Sequence, residues 1–192
     1  MSESKTWIIS DTHYGHVNIP KFEPMRTAWG ETWLEMTETM IQAWAAVVQP
    51  EDTVYHLGDF AMGLPDNMPR YRARLPGKII LIRGNHDRRP ALFLTDQDEL
   101  HTSLEFDHPR LGHLVLRHDP HDFTLDEAAR ADLLLHGHLH SGNHRQDTAE
   151  AIRHKAICLS VERLPTRPAP MLFDDVKQLL PRANTHEHGF LE

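Results

Sequence analysis

The residues best equipped for chemistry in this chain fall into five short groups. Asp11-Thr12-His13, Gly58-Asp59, Gly84-Asn85-His86-Asp87, Arg117-His118-Asp119 and Gly137-His138-Leu139-His140 each offer carboxylate, amide or imidazole donors. Carboxylate and amide oxygens mixed with imidazoles suit first-row divalent ions such as Mn, Fe, Co, Ni or Zn. A collection of seven ligands drawn from these groups exceeds the needs of one tetrahedral ion. Two ions sharing a bridging carboxylate would use them all, as in two-metal hydrolysis with ions roughly 3.5–4 Å apart. A single Asp-x-His or His-x-His is more often structural, its imidazole bonded to a backbone carbonyl. Five such groups in one chain point instead to a shared metal site.

Each group closes an apolar run. Residues 6–10, 54–57, 78–83, 113–117 and 133–136 read as buried strands whose C-terminal ends carry Asp, Asn or His. That edge is where ligands bind in open α/β sheets. So many polar groups would be costly to gather around an apolar core without a purpose. Asp11 and His13, like His138 and His140, are two residues apart and would share one face of an extended strand end. Gly58 and Gly84 allow a close backbone approach.

The remaining elements fill in around these strands. Apolar Trp33, Leu34, Met36, Met40, Ile41, Trp44, Val47 and Val48 recur at spacings of three and four, which predicts an amphipathic helix over 31–49, stopped by Pro50. Glu31 and Glu35 near its start suit the helix dipole. A helix is expected over 69–75, with Arg70, Arg72 and Arg74 outward as a solvated face. Residues 90–100 are ambiguous, read as a short helix. Residues 104–107 and 113–117 should pair as a hairpin. Thr124 or Asp126 opens a helix over 125–130. A polar loop at 141–150, a strand at 156–161 and a last helix at 174–180 follow, with a mobile tail over 183–192.

A chain of 192 residues suits one domain, taken as 1–182. The net charge of −8 argues against a grip on extended duplex nucleic acid, which calls for a basic face. A small phosphate compound remains compatible if metal ions supply the positive charge. The lone Cys158 can form neither an internal disulfide nor a thiolate cluster, and its apolar surroundings favour a core thiol. The first residues lack a signal-peptide plan and no apolar run reaches the ~20 residues of a membrane span, so a cytoplasmic protein without membrane contact is expected. Oligomeric state is not readable from one chain.

The ordered series Asp11-x-His13, Gly58-Asp59, Gly84-Asn85-His86-Asp87, His118 and Gly137-His138-x-His140 resembles the calcineurin-like metallophosphoesterase superfamily. The opening from Asp11 to Ile19 is similar to a compact bacterial and phage branch of it, and the likeness covers about residues 7–164. The resemblance implies an α/β fold, a four-layered α/β/β/α sandwich with two mixed β-sheets. It implies one ion held by Asp11, His13 and His140, a second by Asn85, His118 and His138, and Asp59 bridging. The implied reaction is hydrolysis of a small phosphoester, more readily a diester, by in-line attack of a hydroxide shared between two divalent ions, most readily Mn2+. His86 would serve as general acid, oriented by Asp87. Arg83, His16 and Asn18 are candidate substrate contacts, although Arg83 could equally pair with a surface acid and Asn18 could cap a loop. Arg88 and Arg89 could attract anions or merely solvate their loop.

Two residues depart from the family pattern. Asp119 before Pro120 could enter the surroundings of the second ion or cap a turn, the turn being favoured. Cys158 stands where that branch tends to carry Asn. The competing functions are a nuclease acting on single-stranded or terminal nucleic acid, a non-catalytic scaffold of the same fold, and a mononuclear amide or ester hydrolase.

Overall fold

The computed structural model describes residues 3–141 and 149–180. The tail expected at 183–192 and most of the loop expected at 141–150 lie outside the described residues. Nine strands form two sheets among those residues. The first has the order β4-β3-β2-β1-β9 and the second β5-β6-β7-β8. In the first, β1 (Thr6–Ile9), β2 (Thr53–His56), β3 (Lys78–Ile82) and β4 (Glu99–His101) run parallel, and β9 (Met171–Leu172) closes the edge antiparallel to β1. In the second, β5 (Leu104–His108) pairs antiparallel with β6 (Gly112–Leu116), which runs parallel to β7 (Leu133–His136) and β8 (Ala156–Cys158). Both sheets are therefore mixed.

Strand alternation sets the layers. Leu114, Leu116, Leu133, Leu135 and Ile157 join a core shared with Ile9, Val54, Ile79 and Leu81 of the first sheet. Their neighbours Val115, Leu134 and Ala156 point to the opposite face and meet Phe123, Ala128, Ala131 and Ile152. Those partners come from or flank helices α4 (Leu125–Arg130) and α5 (Glu150–Arg153). The first sheet is covered by Met40, Ile41 and Trp44 of the helix Trp33–Val47, here α2 after the short α1 (Ile19–Phe22). The result is the α/β/β/α sandwich with two mixed sheets.

Local chemistry explains the helix ends. Thr32 and Glu35 form a reciprocal capping box at the start of α2, and Thr124 and Glu127 form another at α4. Such caps contribute about 0.5–2 kcal/mol each. Buried Met36, Met40, Ile41 and Trp44 make the inward stripe of α2.

Three expectations need correction. Residues 90–100 are not a helix beyond the turn Pro90–Leu92, because β4 follows as an edge strand. Its Leu100 is 47% exposed, so no alternation betrays it. The last helix is a 3-10 run, Phe173–Leu179. Within the expected helix at 69–75, α3 (Met68–Arg72) is short, and Arg72 is buried rather than solvated. Its guanidinium donates to Asp98 at 2.8 and 2.6 Å and to the carbonyls of Leu75 and Gly77 at 2.6 and 2.9 Å. The early end of the helix leaves those carbonyls without helical partners, and the arginine satisfies them.

Candidate metal centre

The ends of β1, β2 and β3 meet those of β6, β7 and β8 along one edge. A parallel bridge between Ser10 and Ser160 joins the two sheets there. Backbone bonds continue past the strands: Asp11 N–H donates to the Gly58 carbonyl, His13 N–H to that of Asp59, and Gly137 N–H to that of His118. The donor-bearing turns are thus bonded to one another by the main chain.

The structure brings all seven sequence-selected donors into one pocket. Ligand atoms of Asp11, His13 and His140 lie within 4.8 Å of one another, as do those of Asp59, His118 and His138. Asn85 Oδ1 is 2.9 Å from His118 Nε2 and 3.1 Å from His138 Nδ1. Asp59 Oδ2 is 3.5 Å from His13 Nε2 and 3.4 Å from His118 Nε2, so one carboxylate oxygen lies between the two groups.

The convergence does not arise from strand periodicity. Asp11, His13, Asp59, His138 and His140 all have positive φ, between 46 and 69°. They are also the complete set of non-glycine residues with positive φ among the described residues. Left-handed backbone at such residues costs about 1–3 kcal/mol each and gathers at functional sites. The Asp-x-His and His-x-His pairs are aimed inward by these kinks, while the intervening Thr12 turns away to Phe60 O and His56. Glycine is required where turns touch. A side chain at Gly84 would strike Asp59, and one at Gly137 would strike Ser10 and Asp11.

The imidazoles are oriented by named partners. His118 Nδ1 meets the Leu57 carbonyl at 2.7 Å, leaving Nε2 toward Asp59. His140 Nδ1 meets Glu162 at 3.2 Å, leaving Nε2 toward His13 and Asp11. His138 turns Nδ1 inward to Asn85 and Nε2 outward, 3.5 Å from Asp119 Oδ2. Asp119 also accepts from the His121 N–H, so it caps the turn and faces His138 at once. Glu162 is buried against Arg26, whose guanidinium donates to the carbonyls of Asp11 and Thr12 at 2.5 and 2.8 Å. Neither Arg26 nor Glu162 was singled out from sequence. They are 136 positions apart, and no local pattern marks either.

Electrostatics fit a cation. Burial pushes His13 well below its usual range, so its imidazole is neutral and able to ligate. Burial opposes protonation of His118 too, but Asp59 and Asp11 outweigh it and hold His118 up at about 9. Burial would raise Asp59, but His118, His13 and the His86 N–H hold it low. His13 Nε2 and His140 Nε2 face each other at 3.2 Å, and His13 Nδ1 is a buried atom without a partner. A concentration of lone pairs in a negative field is the donor chemistry of a divalent ion.

Asp87 departs from the role expected of it. Its carboxylate accepts the N–H groups of Asp59, Phe60 and Gly84 at 2.8–2.9 Å. No hydrogen bond or ion pair joins it to the His86 ring among the described residues, so Asp87 ties the Asp59 and Asn85 turns together instead of orienting that imidazole. The His86 ring lies 5.4 Å from the His13 ring, and the main-chain N–H of His86 donates to Asp59 Oδ1 at 2.8 Å. His86, His16 and Asn18 line a cavity of about 630 Å³ beside the donors. Arg83 does not line it; its Nε donates to the Asp87 carbonyl at 3.0 Å. Cys158 is buried, as its apolar run suggests.

The model of the calcineurin-like phosphoesterase superfamily domain matches residues 5–154. An uncharacterized protein of Methanocaldococcus jannaschii is 32% identical over 179 residues, covering 89% of each chain. The gene 66 protein of Mycobacterium phage L5 is 33% identical over 87 residues, 44% of this chain and 40% of that one. A crystal structure of a protein of unknown function from Aquifex aeolicus superposes with a TM-score of 0.69 at 24% identity, over 93% of this chain and all of that one. That likeness concerns the fold.

Proposed function

The chain belongs to the calcineurin-like phosphoesterase superfamily, and from that premise we propose that it hydrolyses a small phosphoester at a binuclear divalent-metal centre. Asp11, His13 and His140 would hold one ion, Asn85, His118 and His138 the other, and Asp59 both. The observation carrying this reading is the placement of Asp59 Oδ2 within 3.5 Å of a candidate ligand from each group. When bound, two such ions supply water activated near neutral pH and positive charge against the phosphoryl oxygens.

The protein's own residues do the rest. His86, half-buried at the cavity beside His13, would give a proton to the departing oxygen, a role worth roughly 10²–10⁴ in rate. Asp87 fixes the turns that carry Asp59 and Asn85 through three main-chain N–H groups. Manganese is the metal we expect, given the mixed oxygen and imidazole donors. A diester is the preferred substrate, since beyond the metals few cations face the pocket and a diester carries less charge.

Leaving-group dependence tests the assignment. His86→Ala should retain bound metal and lose far more rate on alkyl phosphodiesters than on p-nitrophenyl esters. Equal losses on both would remove His86 from the role of acid.

A further inference from the structure

The cavity of about 630 Å³ lies on the His86 side of the donors rather than over the Asp11 side. Three turns build it, those following β1, β2 and β3. Its polar end is formed by His16 and His86, whose rings lie 5.7 and 5.4 Å from that of His13. Away from that end the walls are Val17, Met62, Pro65, Met68, Leu92 and Phe93. Seven large apolar side chains are exposed among the described residues; two of them, Val17 at 58% and Leu92 at 41%, line the cavity, and the ring of a third, Phe22 at 69%, lies 6.1 Å from that of His16. Exposed apolar groups gathered at one mouth mark a binding surface. Volume and lining match a pocket for an organic ligand with a largely apolar body.

The same cavity has a charge signature. Arg88 and Arg89 line it, and neither guanidinium meets a carboxylate among the described residues. Six other arginines, Arg26, Arg72, Arg74, Arg110, Arg117 and Arg130, each hold a carboxylate. Two unpaired guanidinium groups at an apolar cavity suit an anionic group on the ligand.

We propose that this cavity receives the leaving alcohol, and that the alcohol has an apolar, ring-sized body with a second anionic group that Arg88 and Arg89 bind. This rests on the phosphoesterase reading, because His86 joins the cavity to the bond that breaks. In the reaction, the P–O bond to the alcohol breaks, the proton passes from His86 to the alcohol oxygen, and water supplies the new oxygen on phosphorus. The net charge of −8 argues against a nucleic-acid polymer, which calls for a basic face.

The test compares the methyl phosphodiesters of 4-(hydroxymethyl)benzoate, benzyl alcohol and glycerol, all unactivated, with manganese present. The expected order of kcat/KM is carboxybenzyl above benzyl above glycerol, with the benzyl ester ahead of the glycerol ester by about 100-fold, within the range apolar pockets give. Leu92→Asp together with Val17→Asp, both at exposed positions that leave the core intact, should collapse the benzyl-to-glycerol ratio toward one. Arg88→Ala with Arg89→Ala should erase only the advantage of the carboxylate. A wild-type ratio near or below one, with all three esters cleaved, would overturn the pocket assignment. Binding of 4-(hydroxymethyl)benzoate to the protein, followed by NMR titration, gives an answer that does not depend on turnover. Saturable binding weakened by both double variants supports the assignment even if no ester is cleaved, and absence of binding overturns it.

Discussion

At the scale of single residues, the site owes its geometry to side chains that never reach a substrate. Glu162 holds His140 from behind, Arg26 holds Glu162 and the carbonyls of Asp11 and Thr12, and Asp119 stands behind His138. Carboxylates of this kind fix which ring nitrogen faces the metal, and their loss typically costs 10–100-fold in affinity. Asp119→Asn should therefore weaken manganese binding at one of two sites by about 10-fold, read by calorimetric titration, and leave the other site unchanged. Glu162→Gln should weaken the opposite site. If both changes lowered both affinities equally, the pairing of each carboxylate with one imidazole would be wrong. At the centre itself, Asp59→Asn should abolish metal-dependent turnover, because one carboxylate oxygen lies within 3.5 Å of a candidate ligand from each group.

Elements position those residues, and here burial decides. The Arg72–Asp98 pair fastens the end of α3 to the start of β3 and the segment before β4, with Asp98 also accepting the N–H groups of Ile79 and Thr95. Removing one member of a buried pair costs about 3–5 kcal/mol. Arg72→Met should lower unfolding stability by about that amount in urea titrations, whereas Arg74→Met, which breaks the exposed pair with Glu38, should cost under about 1 kcal/mol. Comparable losses would mean that burial is not what distinguishes them.

What could be read beforehand follows the same division. Strands β1, β2, β3, β6 and β7 announced themselves because apolar runs ended in chemically distinctive residues. Helix α2 announced itself through its period. The edge strand β4 and the two-residue β9 did not, since an edge exposes one side and two residues carry no alternation. The donor set was legible from residue type and order. The means of bringing it together was not, because left-handed kinks at Asp11, His13 and His138 leave no pattern in the residues between them. Arg72 was misplaced for a related reason: a five-residue helix ends before its period can say which side is buried.

For the whole molecule, strain and charge are concentrated in one region. Five left-handed residues, several buried carboxylates and a cluster of imidazoles meet at the edge where the two sheets join. Cations that bind the folded state alone offset such strain by mass action. At 100 times Kd, each site contributes about 2.7 kcal/mol. A chain of this size should then rise in Tm by roughly 5–10 °C per filled site on adding manganese, and fall back with chelator. No helix among the described residues is long and apolar enough to cross a membrane.

A binuclear centre would hold a pair of ions on seven side chains. Elemental analysis of the purified, manganese-equilibrated protein, wild type beside Asp59→Asn, measures it directly. The account requires two ions per wild-type chain and fewer in the variant. One ion or none on the wild-type chain, or two retained without the Asp59 carboxylate, would contradict it.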